Sequence, residues 1–142
     1  MTPDLANASV LVVDDDEGVA LTFSRMLRLQ GYHVDTATSP AAGLELASAH
    51  RPDAIILDLR MPMLDGVEFL RRLRRSSGSH DTSVTIVTGD YFIDPELTFE
   101  LKQLGAKVCF KPLWLEDLVE VVRTMVAPPP VPPPASSPSA CA

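Results

Sequence analysis

From Ser9 to Ala127, short runs rich in Val, Ile and Leu alternate with longer stretches whose apolar residues recur at helical spacing. The runs are Val10 to Val13, Tyr32 to Thr36, Ala54 to Leu57, Val84 to Thr88 and Lys107 to Phe110. Three of them are apolar almost throughout, as parallel strands covered on both faces must be. The intervening stretches have readable ends. Val19, Phe23, Met26 and Leu27 form an apolar stripe that Gly31 terminates, because glycine tolerates the left-handed conformation at a helix end.

Ser39 followed by Pro40 makes an N-cap and first-turn pair for a second helix, with Leu44 and Ala47 on its buried side and Arg51-Pro52 as its stop. Asp65 caps a third helix that runs through Arg75. Asp94-Pro95-Glu96 opens a fourth, with Leu97, Leu101 and Leu104 on one side until Gly105. The fifth, Leu113 to Val126, is predicted to bury Leu115, Leu118, Val119 and Val122. Five strands and five helices in strict alternation imply a doubly wound α/β fold: a five-stranded parallel sheet with right-handed crossovers and helices on both faces.

From Pro128 the periodicity stops, and the segment PPPVPPPASSPSACA favours extended polyproline II. The chain therefore divides into a domain over 8–127 and a proline-rich tail over 128–142. The tail reads as a disordered or semi-rigid end in preference to a docking motif.

Length and composition narrow the classes. A chain of 142 residues, 46% apolar and 22% charged, suits one globular core. The formal charge of −7 argues against direct binding to nucleic acid or an anionic membrane, which needs clustered Lys and Arg. Met1 to Ser9 lacks the basic and then apolar pattern of a signal peptide, so export is not expected, and no apolar run of about eighteen residues occurs in the sequence. Cys109 and Cys141 are far apart in sequence and imply no disulfide framework, so a cytoplasmic setting is expected.

Ligands of open parallel sheets bind outside the carboxyl ends of the strands. In this chain those ends carry Asp14, Asp15 and Asp16 after the first strand, Asp58 after the third, Thr88 on the fourth and Lys111 after the fifth. Each alone has a bland explanation as a helix cap or an ordinary loop residue. Together they place carboxylates, a hydroxyl and an ammonium at four strand ends. If Asp14, Asp15 and Asp58 gather within about 5 Å, each pair repels by roughly 3 kcal/mol at an effective dielectric of 20. A divalent cation relieves that repulsion, and hard oxygen donors without a His or Cys pair point to Mg²⁺. Lys111 and Thr88 suit the oxygens of a phosphoryl group. A carboxylate can itself be the nucleophile, and Asp58 lies centrally if the strand order is 2-1-3-4-5.

The segments LVVDDD (Leu11 to Asp16), ILDLRMPMLDG (Ile56 to Gly66), VTG (Val87 to Gly89) and FKP (Phe110 to Pro112) resemble, in this order and spacing, those of the response-regulator receiver family. The resemblance runs from Val10 through Val126. It implies a flavodoxin-like fold, Asp58 as phosphoacceptor, Asp14 and Asp15 as Mg²⁺ ligands, and the backbone carbonyl of Arg60 as a further ligand. It also implies Thr88 and Lys111 at the phosphoryl oxygens and a cis Lys111-Pro112 bond. Receivers usually carry Tyr or Phe three residues before the lysine, where this chain has Val108. Phe110 shares the face of Val108 by strand alternation.

The leading expectation is a stand-alone receiver that takes a phosphoryl group from a sensor histidine kinase or phosphotransfer protein. It would signal through a protein target at the face of helix four, strand five and helix five, through a homodimer, or by passing the group on. It would not be an enzyme beyond Mg²⁺-dependent autophosphorylation and slow self-dephosphorylation. The rival reading is an interaction module whose binding ignores phosphorylation. A third reading, a phosphatase or other hydrolase with an Asp nucleophile, is disfavoured because the sequence offers no DxDxT-type arrangement with a second acid to activate water.

Remaining features weigh less. Arg71, Arg72, Arg74 and Arg75 read as a solvated helix end before a docking patch. For Phe92, Phe99, Leu113 and Trp114, placement in the core and an exposed apolar surface for a partner or a second copy carry equal weight. His33, His50 and His80 show no ligand spacing.

Overall fold

The computed structural model describes residues 8–76, 81–89 and 93–126. Five strands and five helices alternate along it: β1 (Ser9–Val13), α1 (Glu17–Leu29), β2 (His33–Ala37), α2 (Pro40–His50), β3 (Ala54–Asp58), α3 (Gly66–Arg75), β4 (Ser83–Thr88), α4 (Pro95–Gln103), β5 (Ala106–Phe110) and α5 (Leu115–Val126). The strands form one parallel sheet in the order β2-β1-β3-β4-β5. The alternation read from the sequence is therefore the architecture, and the predicted tail lies outside the described residues.

Each strand divides its side chains between two apolar layers, because successive residues point to opposite faces. Leu11, Val13, Ile55, Leu57, Val84, Ile86 and Val108 share one cluster with Phe69, Leu70 and Leu73 of α3 and Leu101 of α4. Val10, Val12, Ala54, Ile56, Val87 and Cys109 share the other with Phe23 and Leu27 of α1 and Leu118 and Val122 of α5. The backbone of α2 approaches the first layer closely at Gly43, where an added Cβ would stand 2.9 Å from Phe69 and 3.0 Å from Val13.

Helix starts follow the local chemistry expected of them. Asp16, Ser39, Asp65 and Asp94 each accept a hydrogen bond from a backbone N–H of the following turn. Gly105, at φ +78°, ends the α4 segment in the left-handed region. The second helix stops differently: Arg51 itself adopts the left-handed conformation at φ 46° before Pro52.

Three expectations are corrected. The fifth helix begins at Leu115 instead of Leu113, and it is Leu113 that is buried while Leu115 is 38% exposed. Leu113 lies in the turn between β5 and α5 and packs into the layer of α1 and α5, and helical spacing alone does not reveal that turn. Val119 is half-buried, not enclosed. Cys109 is disulfide-bonded, with its partner outside the described residues. Separation in sequence does not exclude a disulfide, because its geometry depends on distance in space.

Candidate functional site

β1, β3, β4 and β5 all end at the same edge of the sheet, so the residues at or just past their carboxyl ends meet. Asp58 closes β3, and Asp14 follows β1, its immediate neighbour. Asp14, Asp15 and Asp58 each offer a carboxylate oxygen, and these oxygens lie within 4.8 Å of one another. Asp14 and Asp58 are buried and Asp15 is exposed, so the cluster opens toward solvent on the side of Asp15.

Asp14 is held from three directions. Its N–H donates to the Ala37 carbonyl at 3.1 Å, its Oδ1 accepts from the Asp16 N–H at 2.9 Å, and its Oδ2 accepts from Lys111 Nζ at 3.0 Å. Asp16 turns away from the cluster and caps α1 through Gly18 and Val19, which is the bland role weighed for it. Lys111 also stands 3.7 Å from Asp58 Oδ1 and so bridges the two buried carboxylates.

Burial pushes the Asp58 carboxyl up from 3.8 to about 6. The negative charge of Asp14 adds to the rise, the Lys111 ammonium opposes it, and Asp15 contributes a smaller increment through charge and a hydrogen bond. One ammonium thus offsets the carboxylates only in part, and the arrangement retains demand for positive charge. Three hard oxygen donors around a partly open position fit a small divalent cation, which keeps part of its shell for water or phosphate oxygens.

Thr88, wholly buried, ends β4 beside Asp58, and its carbonyl accepts the Lys111 N–H at 2.8 Å. The strand end that carries the hydroxyl is thereby tied to the residue that carries the ammonium. The peptide bond that follows, Lys111-Pro112, is cis. Arg60 lies two residues beyond Asp58 with its side chain exposed, at the start of the loop that leads into α3.

Gly66, quoted within a motif but assigned no role from sequence, proves to shape that loop. Its N–H donates to the Leu59 carbonyl at 2.9 Å, and a Cβ added to it would stand 2.8 Å from the Asp58 carbonyl oxygen and 3.0 Å from Leu59 Cα. The start of α3 can fold back against the strand end only because that Cβ is missing. The Asp-Gly step at 65–66 is the sequence signal that could have disclosed it. In the same loop Met63 holds φ 74° and is fully exposed.

Arg71, Arg72 and Arg75 pair with Glu68, and Arg71 also with Glu100, so these arginines of α3 are not an open basic patch. Phe99 and Trp114 are exposed, at 65% and 67%, and Leu113 is core. His50 Nδ1 lies 2.8 Å from Asp35 Oδ2, His33 is exposed, and Phe92 and His80 lie outside the described residues. Among the described residues, no helix is long and apolar enough to cross a membrane.

A 2-1-3-4-5 parallel sheet of this kind is the flavodoxin-like fold of the chemotaxis receivers. The chain belongs to the response regulator receiver domain family, whose model matches residues 10–123. It is 36% identical over 126 residues to the transcriptional regulatory protein PrrA of Mycobacterium bovis, an alignment that takes in 89% of this chain and 53% of that one. It is 26% identical over 120 residues to sporulation initiation phosphotransferase F of Bacillus subtilis, covering 84% of this chain and 94% of that one. Among solved structures, the chemotaxis response regulator CheY4 of Vibrio cholerae superposes with a TM-score of 0.76 at 32% identity, over 84% of this chain and 98% of that one.

The chain spans about half the length of PrrA and nearly all of the phosphotransferase. Receiver domains are phosphoacceptor signalling modules of two-component systems that interact with histidine kinases and phosphotransfer proteins, and they generally bind Mg²⁺ at an acidic pocket.

Proposed function

We propose that the chain accepts a phosphoryl group on Asp58 from a phosphohistidine of a sensor kinase or phosphotransfer protein. The observation that carries this reading is the cluster of Asp14, Asp15 and Asp58 oxygens within 4.8 Å, bridged by Lys111. A carboxylate oxygen of Asp58 forms the new O–P bond as the P–N bond to the donor imidazole breaks, and the imidazole leaves with the bonding electrons and takes up a proton.

Asp14, Asp15, Asp58 and the Arg60 carbonyl would hold Mg²⁺. When bound, Mg²⁺ neutralises the crowded carboxylates and the incoming phosphoryl oxygens. The Lys111 ammonium serves the same oxygens from the β5 side, and the Thr88 hydroxyl donates to them from β4. Catalysis by the chain is positioning and charge neutralisation, because phosphoryl transfer asks little more of a protein.

The phosphoryl group then acts by altering partner binding or by moving onward to another phosphotransfer protein. A domain confined to residues 8–127 accords with this reading, as does a cytoplasmic location, which rests on the family's kinase partners because the disulfide at Cys109 removes the argument from cysteine usage. The test is incubation with a small phosphodonor and Mg²⁺ followed by intact mass, with wild type compared with Asp58→Asn. One Mg²⁺-dependent phosphoryl addition that the substitution abolishes is the expected result; no addition with any donor refutes the proposal.

A second reading has its own observation. Val108 is buried in the layer beneath α4, where the family usually has an aromatic ring. If that ring is needed for transmission, the chain is an interaction module whose binding does not change on phosphorylation. Equal partner affinity with and without the phosphoryl group would favour this reading over the first.

A further inference from the structure

α4 is held to the body by fewer enclosed side chains than any other helix. Of its nine residues only Leu101 is fully buried, against five in α3, four in α1 and three in each of α2 and α5. Leu97, Ile93 and Leu104 pack against the same layer while partly exposed. A short helix with one enclosed anchor depends more than its neighbours on polar ties.

Those ties come from α3. Arg71 and Arg74 stand three residues apart and so face the same way. Arg71 Nε donates to Glu100 Oε2 at 2.8 Å, and Arg71 Nη2 donates to the same oxygen. Arg74 Nε donates at 2.7 Å to the carbonyl of Leu104, and its Nη1 donates at 2.6 Å to the carbonyl of Thr82. Leu104 is the C-cap of α4. Carbonyls there lack intrahelical partners and sit at the negative end of the helix dipole, so a guanidinium is well matched to them. One arginine therefore grips the middle of α4 and the other its end.

The first grip is also aimed in advance. Arg71 Nη1 donates to Glu68 Oε2 at 3.0 Å on its own helix, which orients the guanidinium toward Glu100. Glu68 in turn receives Arg72 at 3.3 Å and Arg75 at 3.4 Å. The charge at this point is thus shared within a network instead of a single exposed pair.

We propose that Arg71 and Arg74 form a latch that holds α4 against α3, and that opening the latch releases α4 locally while the sheet remains folded. Because Phe99 projects from α4 into solvent, the latch also governs how this helix presents that ring. The inference concerns the unphosphorylated chain and does not depend on the role given to Asp58.

Hydrogen exchange of the full chain tests it, with Arg71→Gln, Glu100→Gln and the double variant, followed peptide by peptide. Each single substitution should speed exchange across 95–104 by about 2- to 5-fold and leave β1 and β3 unchanged, and the double should exceed neither single. High salt should accelerate the same peptide in wild type and have no further effect on Arg71→Gln. Arg74→Gln should accelerate it more, since two backbone carbonyls lose their donor. Unchanged exchange over 95–104, equal acceleration everywhere, or additive effects in the double variant would each overturn the latch. Arg71 and Glu100 are surface residues, so the test does not hinge on a variant that fails to fold.

Discussion

Thr88 and Phe110 stand opposite each other as the last register pair of β4 and β5. Thr88 is wholly buried, and Phe110 is half-buried against the same apolar layer as Val108. Val108 pairs with Ile86, one step further from the edge on this face. The aromatic ring is therefore beside the hydroxyl residue, although not at the position the family usually gives it.

Phe110→Ala is expected to lower stability by about 1–3 kcal/mol, at the small end of aromatic truncations because the ring is only half-buried. Phosphorylation of Asp58 should survive, since Phe110 contributes no polar group to the site. What should shrink is the difference in amide chemical shifts of α4 and α5 between the phosphorylated and unphosphorylated forms. Val108→Ala should also destabilise yet preserve that difference; the reverse pattern would assign transmission to Val108.

Asp58 makes stability depend on pH in a direction opposite to that of most carboxylates. Its folded-state carboxyl titrates at about 6, above the ordinary 3.8. Between those values the folded chain binds more protons than the unfolded one, so this group's contribution falls as pH rises through the window. Asp58→Asn should therefore gain about 1–3 kcal/mol at pH 8 without divalent cation, and close to nothing at pH 4. Urea midpoints at the two pH values measure it. Added Mg²⁺ should stabilise wild type more than the variant.

Gly66→Ala should weaken Mg²⁺ binding as well as the fold. The new Cβ would stand 2.8 Å from the Asp58 carbonyl oxygen, a backbone atom that cannot swing aside. Relief requires the loop containing Arg60 to shift relative to Asp58. A stability loss of about 1–3 kcal/mol is expected, together with a fall in Mg²⁺ affinity followed by Trp114 fluorescence or amide shifts. Unchanged affinity in a folded variant would show that the loop position is immaterial to the metal.

Ser24→Ala should be neutral or stabilising, by up to about 1 kcal/mol. The Ser24 hydroxyl is buried in α1 with no hydrogen-bond partner among the described residues, and alanine removes an unsatisfied polar group while improving helix propensity. Thermal denaturation would decide; a clear loss would reveal a partner for the hydroxyl.

Much of this molecule is written in local chemistry. The strands are legible because both faces of a parallel sheet must be apolar, which leaves runs such as Ala54 to Leu57 with no polar residue. The helices are legible because Asp16, Ser39, Asp65 and Asp94 supply the missing acceptors for their first turns. The meeting of Asp14, Asp15, Asp58 and Lys111 could be anticipated because strand order carries all four to one edge.

What the sequence alone did not determine depends on contacts between groups far apart along the chain. Arg71 and Glu100 are separated by 29 residues, and nothing in either segment says that one guanidinium closes on that carboxylate. A charged cluster on α3 reads as a solvated end until α4 is brought alongside it. Leu113 and Leu115 are equally apolar, and only the path of the turn after β5 buries the first and exposes the second. Local sequence sets where elements begin and which side chains prefer burial; tertiary packing decides which of them meet, because those choices are made by space and desolvation and not by neighbours in the chain.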